Sequence, residues 1–286
     1  MRKPVNIGAS LRSRLLKLAQ QRNQPFQVLL TRFVLERLLY RLSLTTHRDR
    51  FVLKGAMLMT SWFQDPLRPT QDVDLLGFGN PDPDALLAVF REVCAVAADD
   101  GVTFDAAALS IEHIREDTEY GGLRLRTNAT LDGARIRVLV DIGFGDAVEP
   151  EELVLPVLLD LPAPRLRTYR PEAVIAEKFQ AMVMLGRANS RMKDFYDIWV
   201  LSRSTVFKGD ALPRAIRATF DCRATPIPVD LPDALTNAFA TDAAKQAQWA
   251  SFVANVAVKP GSLAEVTDDL AAFLMPQAIA ARAIGT

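Results

Sequence analysis

The chain has few of the side chains that most often carry reactive chemistry: 2 cysteines and 2 histidines in 286 residues. Cys94 and Cys222 sit among apolar or helix-forming neighbours, outside any C-x-x-C or histidine-rich setting. This argues against a disulfide framework and reads as two free, buried thiols in a reducing compartment. His47 and His113 lie far apart with no acid or cysteine at metal-ligand spacing, so neither a zinc site nor a Ser-His-Asp triad is expected. Gly121-Gly122 and Gly143-Phe144-Gly145 are not followed by Gly-Lys-Ser/Thr, which rules out a P-loop and leaves them as turns. No stretch approaches the roughly 18 uninterrupted apolar residues of a membrane span, and MRKPVNIGAS lacks the apolar core of a secretory signal. The expectation is a cytoplasmic protein with no membrane partner.

What is present suits a globular chain: 49% hydrophobic and 24% charged residues are enough to bury cores without covalent staples. Lys+Arg and Asp+Glu balance at 34 each, but residues 1–50 hold 11 of the bases against two of the acids. A basic N-terminal face is a candidate surface for nucleic acid. The competing reading, of equal weight, is that these arginines are the solvated sides of amphipathic helices.

From Ser10, Leu11, Leu15 and Leu18 recur at helical spacing, with Ser10 as the expected N-cap; a second helix is expected from about Pro25 to Leu44. Phe51-Val52-Leu53 reads as a strand that turns at Lys54-Gly55-Ala56 into a helix over Met57 to Phe63. Asp65 to Thr70, with two prolines, is a loop, and Asp72-Val73-Asp74-Leu75-Leu76 alternates as a half-buried strand. Asp82 to Ala98 is a helix capped by Asp82. Leu123 to Leu131 and Ala134 to Ile142 flank Asp132-Gly133, which predicts an antiparallel hairpin. Beyond the proline-rich connection the chain reads as helices over 171–187, 191–203, 209–220, 231–254 and 262–283, with a boundary near residue 165. The domains expected are basic N-terminal helices (1–50) packed on a core (51–165), then a C-terminal helical domain (166–286).

Successive strand residues alternate faces, so Asp72 and Asp74 point the same way, about 7 Å apart, while Val73 and Leu75 enter the core. By the same alternation Ile136, Val138, Val140 and Ile142 share one face and leave Asp141 on the other. Should that strand lie beside the Asp-Val-Asp strand, three carboxylates converge. Such a cluster repels itself unless a cation occupies it, and hard oxygen ligands suit Mg²⁺ (or Mn²⁺) bound to phosphates. Paired aspartates at a strand end are also commonly just a solvated edge. The Gly55 turn strengthens the metal reading, because amides at a helix start can cradle phosphate oxygens.

Phe51-Val52-Leu53-Lys54-Gly55-Ala56 followed by Arg68-Pro69-Thr70-Gln71-Asp72-Val73-Asp74-Leu75-Leu76 resembles the first motif of the AbiEii/AbiGii toxin family of nucleotidyltransferases. Glu177-Lys178-Phe179 with Arg191-Met192-Lys193-Asp194-Phe195-Tyr196-Asp197-Ile198-Trp199 is similar to its C-terminal motifs. The likeness runs from about residue 10 to residue 205. It implies an α+β fold, a polymerase-β-like core with a mixed β-sheet, N-terminal helices and a C-terminal helical domain. It also implies the toxin of a bacterial toxin–antitoxin or phage-defence pair; some relatives, the MenT-type toxins, transfer nucleotides to the acceptor end of tRNA. Carried over by position, Asp72 and Asp74 bind metal, Lys178 contacts the nucleoside triphosphate and Asp194 completes the C-terminal side. Ala56 stands where many nucleotidyltransferases have Ser, so phosphate binding leans on the Gly55 and Ala56 amides with Lys54, Ser61 or Arg68. Asp141, placed by strand alternation alone, is a candidate third metal ligand.

Lys178 sits on a helix whose Val174, Ile175, Phe179, Met182 and Val183 face the core, and a lysine at that helix's edge is a compact charge suited to phosphate. An ordinary surface lysine is the plainer reading. Asp194 and Asp197 share a helix face and could orient Lys178 or Arg191. The function expected is transfer of a nucleoside monophosphate from an NTP to RNA, with tRNA favoured and a cognate antitoxin as partner. The alternatives are nucleotidyl or phosphoryl transfer to a protein, such as the antitoxin, or to a small molecule, and a non-catalytic member that binds RNA or a partner. Trp62 stacking on a base is a weaker possibility than a core role.

Overall fold

Asn6 accepts a hydrogen bond from the Ala9 amide at 3.0 Å and so starts helix α1 (Ile7–Gln21) one turn earlier than the expected Ser10 cap. Helix α2 (Phe26–Ser43) follows, and in it the sequence expectation changes most. Arg32, Glu36, Arg37 and Arg41 are all buried. Arg32 Nε donates to Glu36 at 2.9 Å, the Leu158 amide donates to the other Glu36 oxygen, and Arg37 donates to the Pro162 carbonyl. Burial pushes the Glu36 carboxyl above its ordinary value, with the Arg32 charge opposing. Three of the bases counted toward a nucleic-acid face are therefore internal polar groups. Among the described residues, the exposed ones are Arg12, Arg14 and Lys17 on α1.

The structure is a computed structural model that describes residues 6–63, 68, 70–114 and 122–284. The expected loop Asp65 to Thr70 lies largely outside the described residues, as does Gly121. The chain divides into two compact units, Met1–Gly145 with Glu151–Thr168 and Asp146–Pro150 with Tyr169–Thr286. No helix among the described residues is long and apolar enough to cross a membrane.

The first unit is built on one mixed sheet. Its strands are β1 (Phe51–Lys54), β2 (Val73–Gly77), β3 (Val102–Phe104), β4 (Ser110–Ile114), β5 (Gly122–Leu131), β6 (Ala134–Phe144), β7 (Glu151–Val154) and β8 (Arg165–Thr168). The order is β3-β5-β6-β2-β1-β8-β7, with β4 also on β5. β6 runs parallel to β2, and β1 antiparallel to it. Asp132 (φ 47) and Gly133 (φ 77) form the two-residue β5 to β6 turn, the left-handed pair that matches strand twist. Gly143 lies within β6 rather than in a turn. Helix α3 (Gly55–Trp62) leaves β1 directly and packs on β1 and β2, while α4 (Pro83–Ala95), capped by Asp82, packs on α2. α2 also lies against β6 and β8. The strands β3, β4, β7 and β8 are three to five residues long, too short for their alternation to stand out in the sequence. β3 and β4 pair with the longer β5, whereas β7 pairs with β8 and β8 with β1.

The second unit is helical: α5 (Pro171–Leu185), α6 (Met192–Ser204), α7 (Ala211–Cys222), α8 (Asn237–Ala240), α9 (Ala243–Val253) and α10 (Leu263–Ala283). α5 packs on α6 and α7, and α10 on α6 and α7, around Phe179, Phe195, Tyr196, Phe220 and Phe239. The single helix expected over 231–254 is interrupted, because Thr236 and Asp242 each accept an amide and start a new helix. Cys222 is exposed, whereas Cys94 is buried and its thiol is pushed up to about 11 by that burial.

Candidate active site

Two parallel rows of side chains cross the sheet. The core row is Leu53, Leu75, Ile142 and Leu123, on β1, β2, β6 and β5 in turn. One residue along, the opposite face carries Lys54, Asp74, Asp141 and Arg124 in register. The alternation that buries the aliphatic row thus obliges the ionised row to line up on the other face, two acids between two bases. Asp72, one residue before β2, joins them. One carboxylate oxygen each from Asp72, Asp74 and Asp141 lies within 4.8 Å of the others, and all three residues are half-buried.

The acids are held by specific partners. Thr70 donates to Asp72 Oδ1 at 3.0 Å. Arg124 forks Asp141, with Nε 2.7 Å from one oxygen and Nη2 2.6 Å from the other. That hydrogen bond, with the charges of Asp141, Asp72 and Glu112, holds the Arg124 guanidinium above its ordinary value. The Lys54 side chain reaches over Gly143, its Nζ 3.5 Å from where a Cβ on that glycine would be. Gly55 opens α3 at φ 73, and a Cβ there would fall 1.8 Å from Asp74 Oδ2. Asp74 is thereby seated against the bare backbone at the start of α3, where unpaired amides offer an electropositive wall. Gly55→Ala is expected to lose the site geometry and about 1–3 kcal/mol of stability from the positive φ alone. A urea melt together with divalent-ion binding checks this, and an unchanged ion affinity would contradict the close seat of Asp74.

The structure therefore brings together Lys54, Gly55, Asp72, Asp74 and Asp141, with Ala56 buried in the first turn of α3. Ser61 is set apart, about 9 Å further along the α3 axis by helical rise. Its Oγ is buried with no hydrogen-bond partner among the described residues. Arg68 is half-buried. Trp62 is half-buried at the end of α3. Arg124 was missed by the sequence reading, although a signal existed. The two-residue turn pairs Leu131 with Ala134, and seven positions back along each strand stand Arg124 and Asp141.

A cluster of three carboxylates offers only hard oxygen donors, and that donor set fits a divalent cation such as Mg²⁺ or Mn²⁺.

In the second unit Lys178 Nζ lies 2.6 Å from Asp194 and 2.9 Å from Asp197. Both acids are fully buried, and Arg191 Nε pairs with the second Asp194 oxygen at 2.6 Å. Two carboxylates balanced by two bases let α6 carry acids through the core. Beside them Tyr169 donates to Glu177 at 2.7 Å, and burial, then the Glu177 charge, pushes its phenol well above the ordinary value. Arg223 pairs with Asp146 at 2.8 Å.

A family model described as nucleotidyl transferase AbiEii toxin, type IV TA system, matches residues 37–273. No curated protein sequence matches the chain. Among solved structures, JHP933 from Helicobacter pylori aligns with TM-score 0.51 at 14% identity, covering 91% of this chain and 95% of its own. A second H. pylori structure, of a candidate nucleotidyltransferase, aligns with TM-score 0.51 at 15% identity, covering 90% and 97%. At these identities the likeness establishes a shared fold.

Proposed function

Because this chain belongs to the AbiEii nucleotidyltransferase toxin family of type IV toxin–antitoxin systems, we propose that it transfers a nucleoside monophosphate from an NTP to RNA, the 3′ acceptor end of tRNA above all. The observation that carries this is the convergence of Asp72, Asp74 and Asp141 within 4.8 Å beside the glycine that opens α3. A Mg²⁺ ion held by Asp72 and Asp74 would offset the charge of the triphosphate and of the departing pyrophosphate. The chain's own part is to place and neutralise. Asp74 and Asp72 present oxygens on a rigid strand end, the amides of Gly55 and Ala56 face phosphate, and Lys54 adds a positive charge in the same row. To Lys178 we assign contact with the nucleotide phosphates, supported by the way Asp194 and Asp197 fix its ammonium. Asp194 is a positioning residue in this reading. Blocking the acceptor end would stop aminoacylation and hence translation in the cytoplasm, with a cognate antitoxin as the opposing partner.

The direct test incubates the protein with each α-labelled NTP, Mg²⁺ and total tRNA. Label is expected in tRNA, with a preference among the four NTPs, and chelation should abolish it. No transfer from any NTP would overturn the proposal. Label appearing instead in a co-purified antitoxin would replace the RNA acceptor with a protein one.

A further inference from the structure

Arg124 has no place in the motifs that point to nucleotidyl transfer, yet it is in direct contact with the acid cluster. Its guanidinium occupies both oxygens of Asp141, at 2.7 and 2.6 Å. A carboxylate forked in this way has one lone-pair site on each oxygen committed, half of its acceptor capacity. Asp141 is nevertheless one of the three residues whose oxygens converge within 4.8 Å. An ion on Asp141 must therefore share its oxygen with the guanidinium, whose positive charge opposes the approach of a dication.

The fork is also accessible. The Arg124 and Asp141 side chains keep 31% and 19% of their exposure, so water and small cations can reach the pair. One oxygen of Asp141 lies within 4.8 Å of oxygens of Asp72 and Asp74, so the guanidinium that forks it stands beside the whole cluster. Without a cation, three converging carboxylates destabilise one another, and a planar, permanently charged guanidinium in the neighbouring strand relieves that repulsion. Strand register makes this arrangement durable, because Arg124 stands directly opposite Asp141 in the β5 to β6 ladder.

We propose that Arg124 is a built-in counter-cation of the acid cluster: a positioning residue that holds Asp141 while no metal is bound and yields one of its oxygens to the incoming divalent ion. The inference rests on the metal-binding reading above. It makes Asp141 a conditional ligand, with Asp72 and Asp74 the permanent ones, and sets the ion's affinity by competition with a side chain.

The test uses the full-length chain as wild type, Arg124→Gln, Arg124→Lys and Asp74→Ala, with Mn²⁺ titrated and followed by thermal unfolding and by the electron paramagnetic resonance signal of free ion. Without metal, Arg124→Gln is expected to unfold at a lower temperature than wild type. Its Mn²⁺ half-saturation should fall at roughly one fifth of the wild-type concentration, the worth of a partly exposed ion pair. The gap in unfolding temperature should close as the ion replaces the guanidinium. Arg124→Lys, which keeps a charge but not the fork, should lie between, and it carries the test if the glutamine variant does not fold. Equal half-saturation in wild type and both Arg124 variants, with a gap that Mn²⁺ leaves unchanged, would overturn the inference by making the fork a purely structural clamp. A wild type that binds Mn²⁺ no better than Asp74→Ala would instead overturn the metal reading, and this inference with it.

Discussion

Replacing Asp74 by alanine is expected to lower nucleotidyl transfer by about 10³-fold or more while leaving the unfolding temperature close to wild type. Asp74 sits in the middle of the ionised row, between Lys54 and Asp141, and against the Gly55 backbone. In the proposed mechanism its removal takes away one of two oxygen ligands, and metal stabilisation of a transferring phosphoryl group is worth several kcal/mol, which is about three orders of magnitude in rate. The fold should tolerate the change for a separate reason. Asp74 is half-buried beside two other carboxylates, so its loss relieves repulsion while the aliphatic row beneath it stays intact. Single-turnover transfer assays with circular-dichroism melts separate the two effects. A variant that keeps more than about a tenth of the activity would remove Asp74 from the chemistry.

Asp100→Ala is expected to cost about 3–5 kcal/mol of stability, the usual consequence of leaving a buried charge without its partner. Asp100 and Arg41 are each 2% exposed. Arg41 forks Asp100 at 2.6 and 2.9 Å and also donates to the carbonyls of Val96, Arg37 and Val102. It stacks over Phe104 with its Cζ 4.9 Å from the ring centroid. Asp100 in turn accepts from the Val102 amide at 3.1 Å and so ties β3 to α2. With the carboxylate gone, three carbonyls still solvate the guanidinium but nothing balances it. Denaturant unfolding of Asp100→Ala and Asp100→Asn should show the larger loss for alanine. A loss under about 1 kcal/mol in both would mean that water replaces the carboxylate and the pair is not closed off.

The sequence reading reached the elements with long, regular patterns and missed those without. The hairpin was legible because alternation over Leu123 to Leu131 and Ala134 to Ile142 meets at an Asp-Gly turn. The strand at Asp72 to Leu76 was legible for the same reason. The break in the segment over 231–254 was not, because Thr236 and Asp242 compete for backbone amides without disturbing the apolar spacing. The N-terminal arginines misled for a different reason. Charge counting treats every base as solvated, whereas Arg32, Arg37 and Arg41 each find a buried acceptor contributed by distant parts of the chain or by a neighbouring turn.

The same division runs through the site. Which residues stand on the ionised face follows from a two-residue period, a local property that any stretch of sequence carries with it. The sequence alone therefore determined that Asp72, Asp74 and Asp141 turn away from the core, that Gly55 sits at a turn, and that the motifs are those of a nucleotidyltransferase. Which strands lie side by side depends on long-range pairing, and on that the local pattern is silent. Only the tertiary structure decided that β6 lies parallel to β2 with Asp141 beside Asp74, that Arg124 faces Asp141, and that the charges of α2 close on partners as remote as Asp100 and Pro162. Contacts between residues far apart in the chain form only where the packed whole repays the entropy of bringing them together.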